Sequence, residues 1–188
     1  MTETTETAPR PRRLPGDPTR EQLVQRVLRV DHAGEYGAVR IYEGQLAVLG
    51  RRPAGAVIRE MAAKEREHLA TFDALLPKRR VRPSALQPVW HVAGFALGAA
   101  TALLGAKAAM ACTVAVEEVI DEHYARQVAE LGDDEAELRD LCARYRQDEV
   151  EHGETALAHG AREAPGYKAL TGAVKAGSRA AIWLAERI

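Results

Sequence analysis

Apolar side chains recur along most of this chain at intervals of three and four residues, which is the period of an amphipathic α-helix. No segment alternates apolar and polar residues with the two-residue period of a half-buried strand. The pattern therefore predicts an all-α protein. The predicted helices run from Thr19 to Gly50, from Pro53 to Leu76, through an apolar stretch to Gly105, from there to Leu131, from Asp134 to about Gly160, and from about Tyr167 to Arg187.

Local signals mark several of these helix ends. Thr19 is followed three residues later by Gln22, which is the spacing of a capping box, and Asp134 with Glu137 repeats it. Pro77 is expected to end the second helix, because proline cannot donate the next backbone hydrogen bond.

The stretch Val89–Val116 is the most apolar part of the chain and is long enough to cross a bilayer. It consists largely of Ala and Gly, however, Lys107 interrupts it, and Glu117 and Glu118 follow at once. We therefore expect either a buried helix or a helix that lies in a membrane interface. A transmembrane helix is the least favoured of the three interpretations.

Length and charge narrow the function classes. A chain of 188 residues is enough for one domain with a sizeable core, and the net charge of −1 argues against a basic nucleic-acid-binding protein. Cys112 and Cys142 form neither a disulfide framework nor a zinc motif, which suits a reducing compartment. Residues 1–18 lack the apolar segment of a signal peptide and are expected to be a disordered tail before a single domain at residues 19–188.

Two Glu-x-x-His motifs each place a carboxylate and an imidazole on one face of a helix, one turn apart. The second predicted helix carries Glu65 and His68, and the fifth carries Glu149 and His152. Both pairs interrupt an apolar seam, while the acids beside them fall on polar faces. Carboxylates in a core are unfavourable unless they bind a cation or a partner, so these four side chains are candidate metal ligands.

The same test selects one acid on each of the other two bundle helices. Glu117 continues the seam of the fourth helix, whereas Glu118 falls on its polar face, and Glu35 continues the seam of the first helix. The first turn, near Arg51, lies 16 residues after Glu35 and 14 residues before Glu65. At about 1.5 Å per residue both acids are roughly 20–25 Å from that turn. The acids of the second hairpin match in the same way, at 15 and 17 residues from its turn.

Two such motifs together with two acids at matching depth predict a dinuclear metal site inside a helical bundle. Oxygen-rich ligands with two imidazoles suit iron or manganese, since zinc and copper sites usually contain more His or Cys. Four carboxylates would nearly neutralise two divalent cations in a poorly solvated core. The alternative is a non-catalytic helical module that binds lipid or protein, in which the acids are structural.

Three runs of sequence carry a further signal. They are RVDHAGEYGA at residues 29–38, ACTVAVEE at residues 111–118 with His123 and Tyr124 just beyond, and DEVEH at residues 148–152. Together they resemble the demethoxyubiquinone hydroxylase family of ubiquinone biosynthesis, and the resemblance extends from about residue 22 to the C-terminus. It implies a ferritin-like four-helix bundle with an apolar crossover helix and an additional C-terminal helix. The family's six metal ligands correspond to Glu35, Glu65, His68, Glu117, Glu149 and His152.

The resemblance also implies a reaction. Two iron ions would use O2 to hydroxylate the ring of demethoxyubiquinone or demethoxyubiquinol, the penultimate step toward ubiquinone, with NADH as a candidate reductant. The expected partners are a polyprenyl quinone, a membrane surface, and either a second copy of the chain or other proteins of ubiquinone biosynthesis. The expected location is peripheral, on the cytoplasmic face of the cell membrane. A ferroxidase or peroxide-scavenging bundle with the same ligands is the alternative enzyme.

Two residues beside the ligands, Tyr124 and Asp148, have two interpretations each. Tyr124 lies seven residues after Glu117 on the same face, so it either acts near the substrate or in an electron route, or fills the core. The resemblance favours a catalytic role for Tyr124 and for His123. Asp148 either orients an imidazole or is an ordinary surface acid.

A long-tailed substrate would give the apolar stretch a purpose. Its glycines, in the pattern Gly94-x-x-x-Gly98, permit a close contact between two helices. The larger side chains expected at the boundary with lipid acyl chains are Trp90, Phe95, Leu97, Leu103 and Leu104.

Overall fold

The structure is a computed structural model that describes residues 16–188, and within this range it contains six α-helices, two short 3₁₀ turns and no strand. The predicted all-α class is confirmed. The predicted disordered tail, residues 1–18, lies outside the described residues except for its last three. The helices are α1 (Arg20–Leu49), α2 (Gly55–Lys78), α3 (Gln87–Leu103), α4 (Ala106–Leu131), α5 (Ala136–Ala158) and α6 (Tyr167–Ala185).

The start of α1 follows the predicted signal. The Thr19 hydroxyl accepts a hydrogen bond from the Gln22 backbone N–H at 3.1 Å, and the Gln22 side chain accepts one from the Thr19 N–H at 2.7 Å. Each partner thus satisfies a donor that the first helical turn leaves unpaired. The bounds of α2 differ from the prediction by two residues at each end, because the helix begins at Gly55 and ends at Lys78. The expectation that Pro77 ends it is wrong, since Pro77 lies within the last turn of the helix.

The predicted start of α5 is wrong. The helix begins at Ala136 after a 3₁₀ turn, its N-terminal cap is Glu135, and no side chain caps it. Gly132 causes the shift: it ends α4 with a φ of +62°, a conformation that favours glycine. The chain then winds tightly through residues 133–135 before the α-helix starts, so Asp134 and Glu137 do not form the capping box.

Four helices form the central bundle. α1 and α2 make one hairpin, and α4 and α5 make a second, each joined by a short connection. α3 crosses over between the hairpins and packs along α1, while α6 packs along α4. The apolar core has one part near the α1–α2 turn, around Tyr42 and Ile58, and another toward the opposite end, around Leu28 and Phe72. The predicted ligand positions lie between these two parts on every bundle helix.

Glycines allow α3 to touch the backbone of α1. A Cβ at Gly98 would lie 1.9 Å from the carbonyl oxygen of Ile41, and a Cβ at Gly94 would lie 2.8 Å from that of Gly37. No larger residue could occupy position 98 without moving one of the helices. The close helix contact predicted from the Gly-x-x-x-Gly pattern is confirmed.

The apolar stretch at residues 89–116 divides at Gly105, whose φ is +112°. The part that follows forms the first turns of α4 and is buried in the core. The part that precedes it is α3, which exposes large apolar side chains on the outside of the bundle: Val89, Val92, Leu103 and, just beyond the helix, Leu104. Within residues 16–188, none of the helices combines the length and the apolar character that a bilayer crossing requires.

Candidate metal centre

Six buried carboxylates and imidazoles from the four bundle helices meet between the two parts of the core. Each exposes at most 7% of its surface. The neighbouring acids Glu67, Glu118 and Glu151 are exposed, as the helical period predicts. The six are Glu35 of α1, Glu65 and His68 of α2, Glu117 of α4, and Glu149 and His152 of α5.

These side chains form two overlapping groups of four. Within each group, one ligand atom per residue lies within 4.8 Å of the others. Glu35 and His68 belong to the first group, Glu117 and His152 belong to the second, and Glu65 and Glu149 belong to both. A carboxylate has two oxygens, so the shared acids are positioned to bridge two cations. The geometry therefore suits a pair of metal ions.

Buried ligand atoms that make no hydrogen bond support a cation at this position. Glu65 Oε1, Glu149 Oε1 and His68 Nδ1 make none. Their nearest contacts are charge pairs within the cluster, His68 Nδ1 with Glu149 Oε1 at 3.3 Å and Glu65 Oε1 with His152 Nδ1 at 2.9 Å. Burial raises the pKa of Glu35, and it raises the pKa values of Glu65 and Glu117 far above the usual range. A buried polar atom left unpaired costs about 1–3 kcal/mol, and a metal ion would satisfy all three of these atoms at once.

Glu149 has the opposite electrostatic character. Burial acts to raise its pKa, but His152 at 3.2 Å and His68 at 3.3 Å outweigh burial and lower the pKa of Glu149 to about 2. Burial likewise acts to lower the pKa of His68, but Glu149 and Glu35 raise it to about 11. The carboxylates thus draw positive charge into the site, whether it arrives as protons or as metal.

Two buried tyrosines bind acids on the opposite hairpin. The Tyr42 hydroxyl of α1 donates to Glu117 at 2.9 Å, and the Tyr124 hydroxyl of α4 donates to Glu35. Tyr124 therefore joins the cluster, although this contact does not test a catalytic role. The apolar seam alone gives no sign that Tyr42 contacts a ligand, and its contact was missed. The available signal was its position seven residues after Glu35, which repeats the spacing of Tyr124 from Glu117.

Asp148 contacts an imidazole, as one of its two interpretations requires. Its Oδ2 lies 2.9 Å from His68 Nε2, and Lys64 approaches its other oxygen at 3.6 Å. The Tyr145 ring stacks on the face of the His68 ring at a centroid distance of 3.8 Å. The His68 ring is therefore held with Nδ1 toward the acids.

His123 lies outside the six-residue cluster. It is buried in a second polar group, where its Nε2 is 3.5 Å from Asp31 and 2.8 Å from Gln127 Nε2. Gln127 donates to Asp31 at 2.6 Å, and burial raises the pKa of Asp31. A catalytic role for His123 stays a prediction, because none of these contacts reaches the candidate metal ligands.

An apolar cavity of about 340 Å³ lies on the side of the bundle covered by α3 and α6. α1, α3, α4 and α6 supply its walls, and apolar groups make up most of them. None of the six candidate ligands lines it, but Gly34, Ala38 and Val116 do, so its walls share α1 and α4 with the ligands. The cavity therefore offers apolar space at the same level along these two helices as Glu35 and Glu117.

Comparisons with known proteins agree along nearly the whole chain. The sequence model of the family described as ubiquinone biosynthesis protein COQ7 matches residues 22–185. The 3-demethoxyubiquinol 3-hydroxylase of Rhodospirillum rubrum is 60% identical over 177 residues, covering 94% of this chain and 84% of that protein. The human NADPH-dependent 3-demethoxyubiquinone 3-hydroxylase, a mitochondrial protein, is 52% identical over 169 residues, covering 88% of this chain and 78% of that protein. The mitochondrial 5-demethoxyubiquinone hydroxylase of Saccharomyces cerevisiae is 42% identical over 183 residues, covering 88% of this chain and 78% of that protein.

Proposed function

This chain belongs to the family of ubiquinone biosynthesis protein COQ7, and we propose that it is a 3-demethoxyubiquinol 3-hydroxylase with a di-iron centre in a ferritin-like bundle. The reaction introduces a hydroxyl group into the ring of the demethoxy-quinol on the route to ubiquinone. One observation carries the proposal: two overlapping groups of buried metal ligands lie on a bundle whose helices α1 and α4 also line an apolar cavity. The ligand groups can hold redox-active metal, and the cavity can hold the ring that is oxidised.

Each ligand has a distinct place in the proposed centre. Glu35 and His68 would hold one ion, and Glu117 and His152 would hold the other. Glu65 and Glu149 belong to both groups and would serve both ions. Iron held by these residues would supply the redox chemistry for oxygen activation.

Residues around the ligands orient them. Asp148 accepts a hydrogen bond from Nε2–H of His68, so that Nδ1, which faces the acids, would be the nitrogen that binds metal. Tyr42 and Tyr124 hold Glu117 and Glu35 by hydrogen bonds across the bundle. We assign Tyr124 to this positioning role. The apolar walls of the cavity exclude water from the ring.

A pyridine nucleotide is the proposed source of electrons. The family resemblance gives NADH as a candidate reductant, whereas the names of several relatives, among them the human and Dictyostelium discoideum enzymes, specify NADPH. The apolar cavity favours the hydroxylase over a ferroxidase or peroxide scavenger, because those small substrates do not require apolar space. The buried ligand atoms that make no hydrogen bond argue against a metal-free module.

Expression in bacterial cells that lack the demethoxyubiquinone hydroxylation step tests this function. We expect ubiquinone to reappear and the demethoxy-quinone to disappear, as measured by mass spectrometry of extracted quinones. Accumulation of the demethoxy-quinone despite stable, iron-loaded protein would contradict the hydroxylase assignment. Oxidation of Fe²⁺ or consumption of peroxide by that same protein would then favour the alternative enzyme.

The outer face of α3 and α6 supports a peripheral position on the membrane, which we place on the cytoplasmic side. Val89, Val92 and Leu103 recur on α3 at helical spacing and are 51%, 67% and 74% exposed. Trp183 of α6 is 55% exposed, so large apolar side chains stand on both helices that cover the cavity. An exposed apolar surface of this kind favours an interfacial position, and it would let the substrate enter without crossing water.

Charges at the end of α3 are expected to weaken membrane binding. The double variant Leu103→Glu, Leu104→Glu should bind vesicles at least about tenfold more weakly, because inserting each leucine contributes about 1.5–3 kcal/mol. Flotation with vesicles of phosphatidylethanolamine and phosphatidylglycerol measures the change. Ala63→Glu, at an exposed position of α2, is the control and should float like the unaltered protein. Undiminished flotation of the double variant would rule out this surface.

A further inference from the structure

Three glycines inside α1 have different surroundings. Glycine lowers the stability of a helix relative to alanine, so each one calls for a physical reason. Gly44 has a packing reason, since a Cβ there would lie 2.2 Å from the carbonyl oxygen of Phe95 on α3. The other two, Gly34 and Gly37, lie on either side of Glu35.

Packing does not explain Gly34 or Gly37. A Cβ at Gly37 would meet no atom within 4 Å, and a Cβ at Gly34 would meet one side-chain atom, Ile120 Cδ1, at an ordinary 3.9 Å. Neither residue has a positive φ, so backbone conformation does not explain them either. Both residues line the apolar cavity. The space that their missing side chains leave open is therefore cavity space at the level of Glu35 along α1, on a side of the helix turned roughly 100–160° away from the Glu35 side chain.

On both α1 and α3, the side chains that line the cavity are larger at its two ends than in its middle. Along α1 the cavity-facing residues between Val30 and Ile41 are all Ala or Gly. Along α3, only Ala93 and Gly94 line the cavity between Trp90 and Leu97. The side chains that line the cavity on α1 and α3 are therefore smallest at the level of Glu35.

We propose that Gly34 and Gly37 determine substrate specificity by making room in the cavity for the quinol ring at the level of Glu35 along α1. This inference rests on the proposed hydroxylase function. The flat ring fills the recess that the two glycines leave, and the larger residues at either end hold it at the level of the metal ligands. Helix stability is lowered in order to keep this space open.

Opposite effects on stability and on binding follow from this proposal. Gly37→Ala should raise Tm by about 1–4 °C, because alanine favours the helix and its methyl group meets no atom. The same change should weaken quinone binding, and Gly37→Leu should weaken it at least about tenfold. Substitution of a glycine that is needed for packing would instead lower the Tm of the protein.

Binding can be measured without turnover. The chain has two tryptophans, and Trp90 lines the cavity, so in a Trp183→Phe background its fluorescence reports a bound quinone by quenching. Metal-free protein is titrated with a short-chain demethoxy-quinone, and KM and kcat are then measured on the iron-loaded enzyme. We expect KM to rise with Kd while iron content is unchanged.

Gly172→Leu is the matched control, since Gly172 of α6 is exposed and a Cβ there meets nothing within 4 Å. It should leave Kd unchanged. Should Gly37→Leu fail to fold, Gly34→Ala tests the same space, with an expected loss of quinone affinity and no loss of Tm. Unchanged affinity in a folded position-37 or position-34 variant would overturn this inference alone. Failure of the unaltered protein to hydroxylate demethoxy-quinol would instead overturn the proposed function.

Discussion

Replacing Glu149 by alanine is expected to abolish hydroxylation of demethoxyubiquinol and to reduce bound iron to fewer than one ion per chain. Glu149 is one of two acids that belong to both ligand groups. It also lies within 3.3 Å of both imidazoles. Its removal therefore leaves both groups incomplete and leaves His68 and His152 without their nearest shared carboxylate. Loss of a ligand shared by two metals should affect both sites together.

A graded comparison makes this prediction specific. Glu117 belongs to only one group, so Glu117→Ala should retain about one ion per chain while also losing turnover. Glu151→Ala removes the same charge from an exposed position on the same helix as Glu149, and it should retain both ions and full activity. Iron is counted after anaerobic reconstitution, with circular dichroism to verify helicity. Two ions per chain in Glu149→Ala would contradict the shared-ligand geometry.

The candidate ligands could be predicted from sequence because the helical period connects residue number with direction. Glu65 and His68 share a face by spacing alone, and counting from a turn gives depth along the hairpin. Polar residues that interrupt an apolar seam can therefore be identified from the sequence. This explains why the seam acids are buried while Glu67, Glu118 and Glu151 are exposed.

Features that depend on how two helices pack against each other were harder to predict from the sequence. The bond from Tyr42 to Glu117 depends on how α1 faces α4, and the contact of Asp148 with His68 depends on how α5 faces α2. Neither relation is fixed by the period of a single helix. The cavity is a stronger case, because four helices enclose it. The predicted start of α5 was wrong for a local reason, since the capping pattern does not reveal the positive φ of Gly132 or the 3₁₀ turn that follows it.

Replacing Gly98 by alanine is expected to destabilise the protein by about 2–3 kcal/mol, as overpacking a close contact does. The added Cβ would lie 1.9 Å from the Ile41 carbonyl oxygen. That oxygen belongs to the backbone, so no side-chain rotation relieves the overlap and α3 must move away from α1. Any gain in helix propensity, about 1 kcal/mol at most, is smaller than this cost. Because α3 also forms a wall of the cavity, affinity for the quinone should fall as well.

Thermal unfolding followed by circular dichroism should show the Tm of Gly98→Ala lowered by roughly 4–12 °C. Gly172→Ala makes the same chemical change inside α6, where the new methyl group meets nothing within 4 Å, so its Tm should be unchanged or slightly higher. Gly44→Ala approaches the same interface from α1, with a Cβ 2.2 Å from Phe95 O, and should lower Tm as Gly98→Ala does. A Gly98→Ala protein as stable as the unaltered chain would show that α3 does not pack on α1 at this distance. The wall of the cavity would then have to lie elsewhere, because the position of α3 against α1 fixes both the recess at the level of Glu35 and the outward direction of Val92 and Leu103.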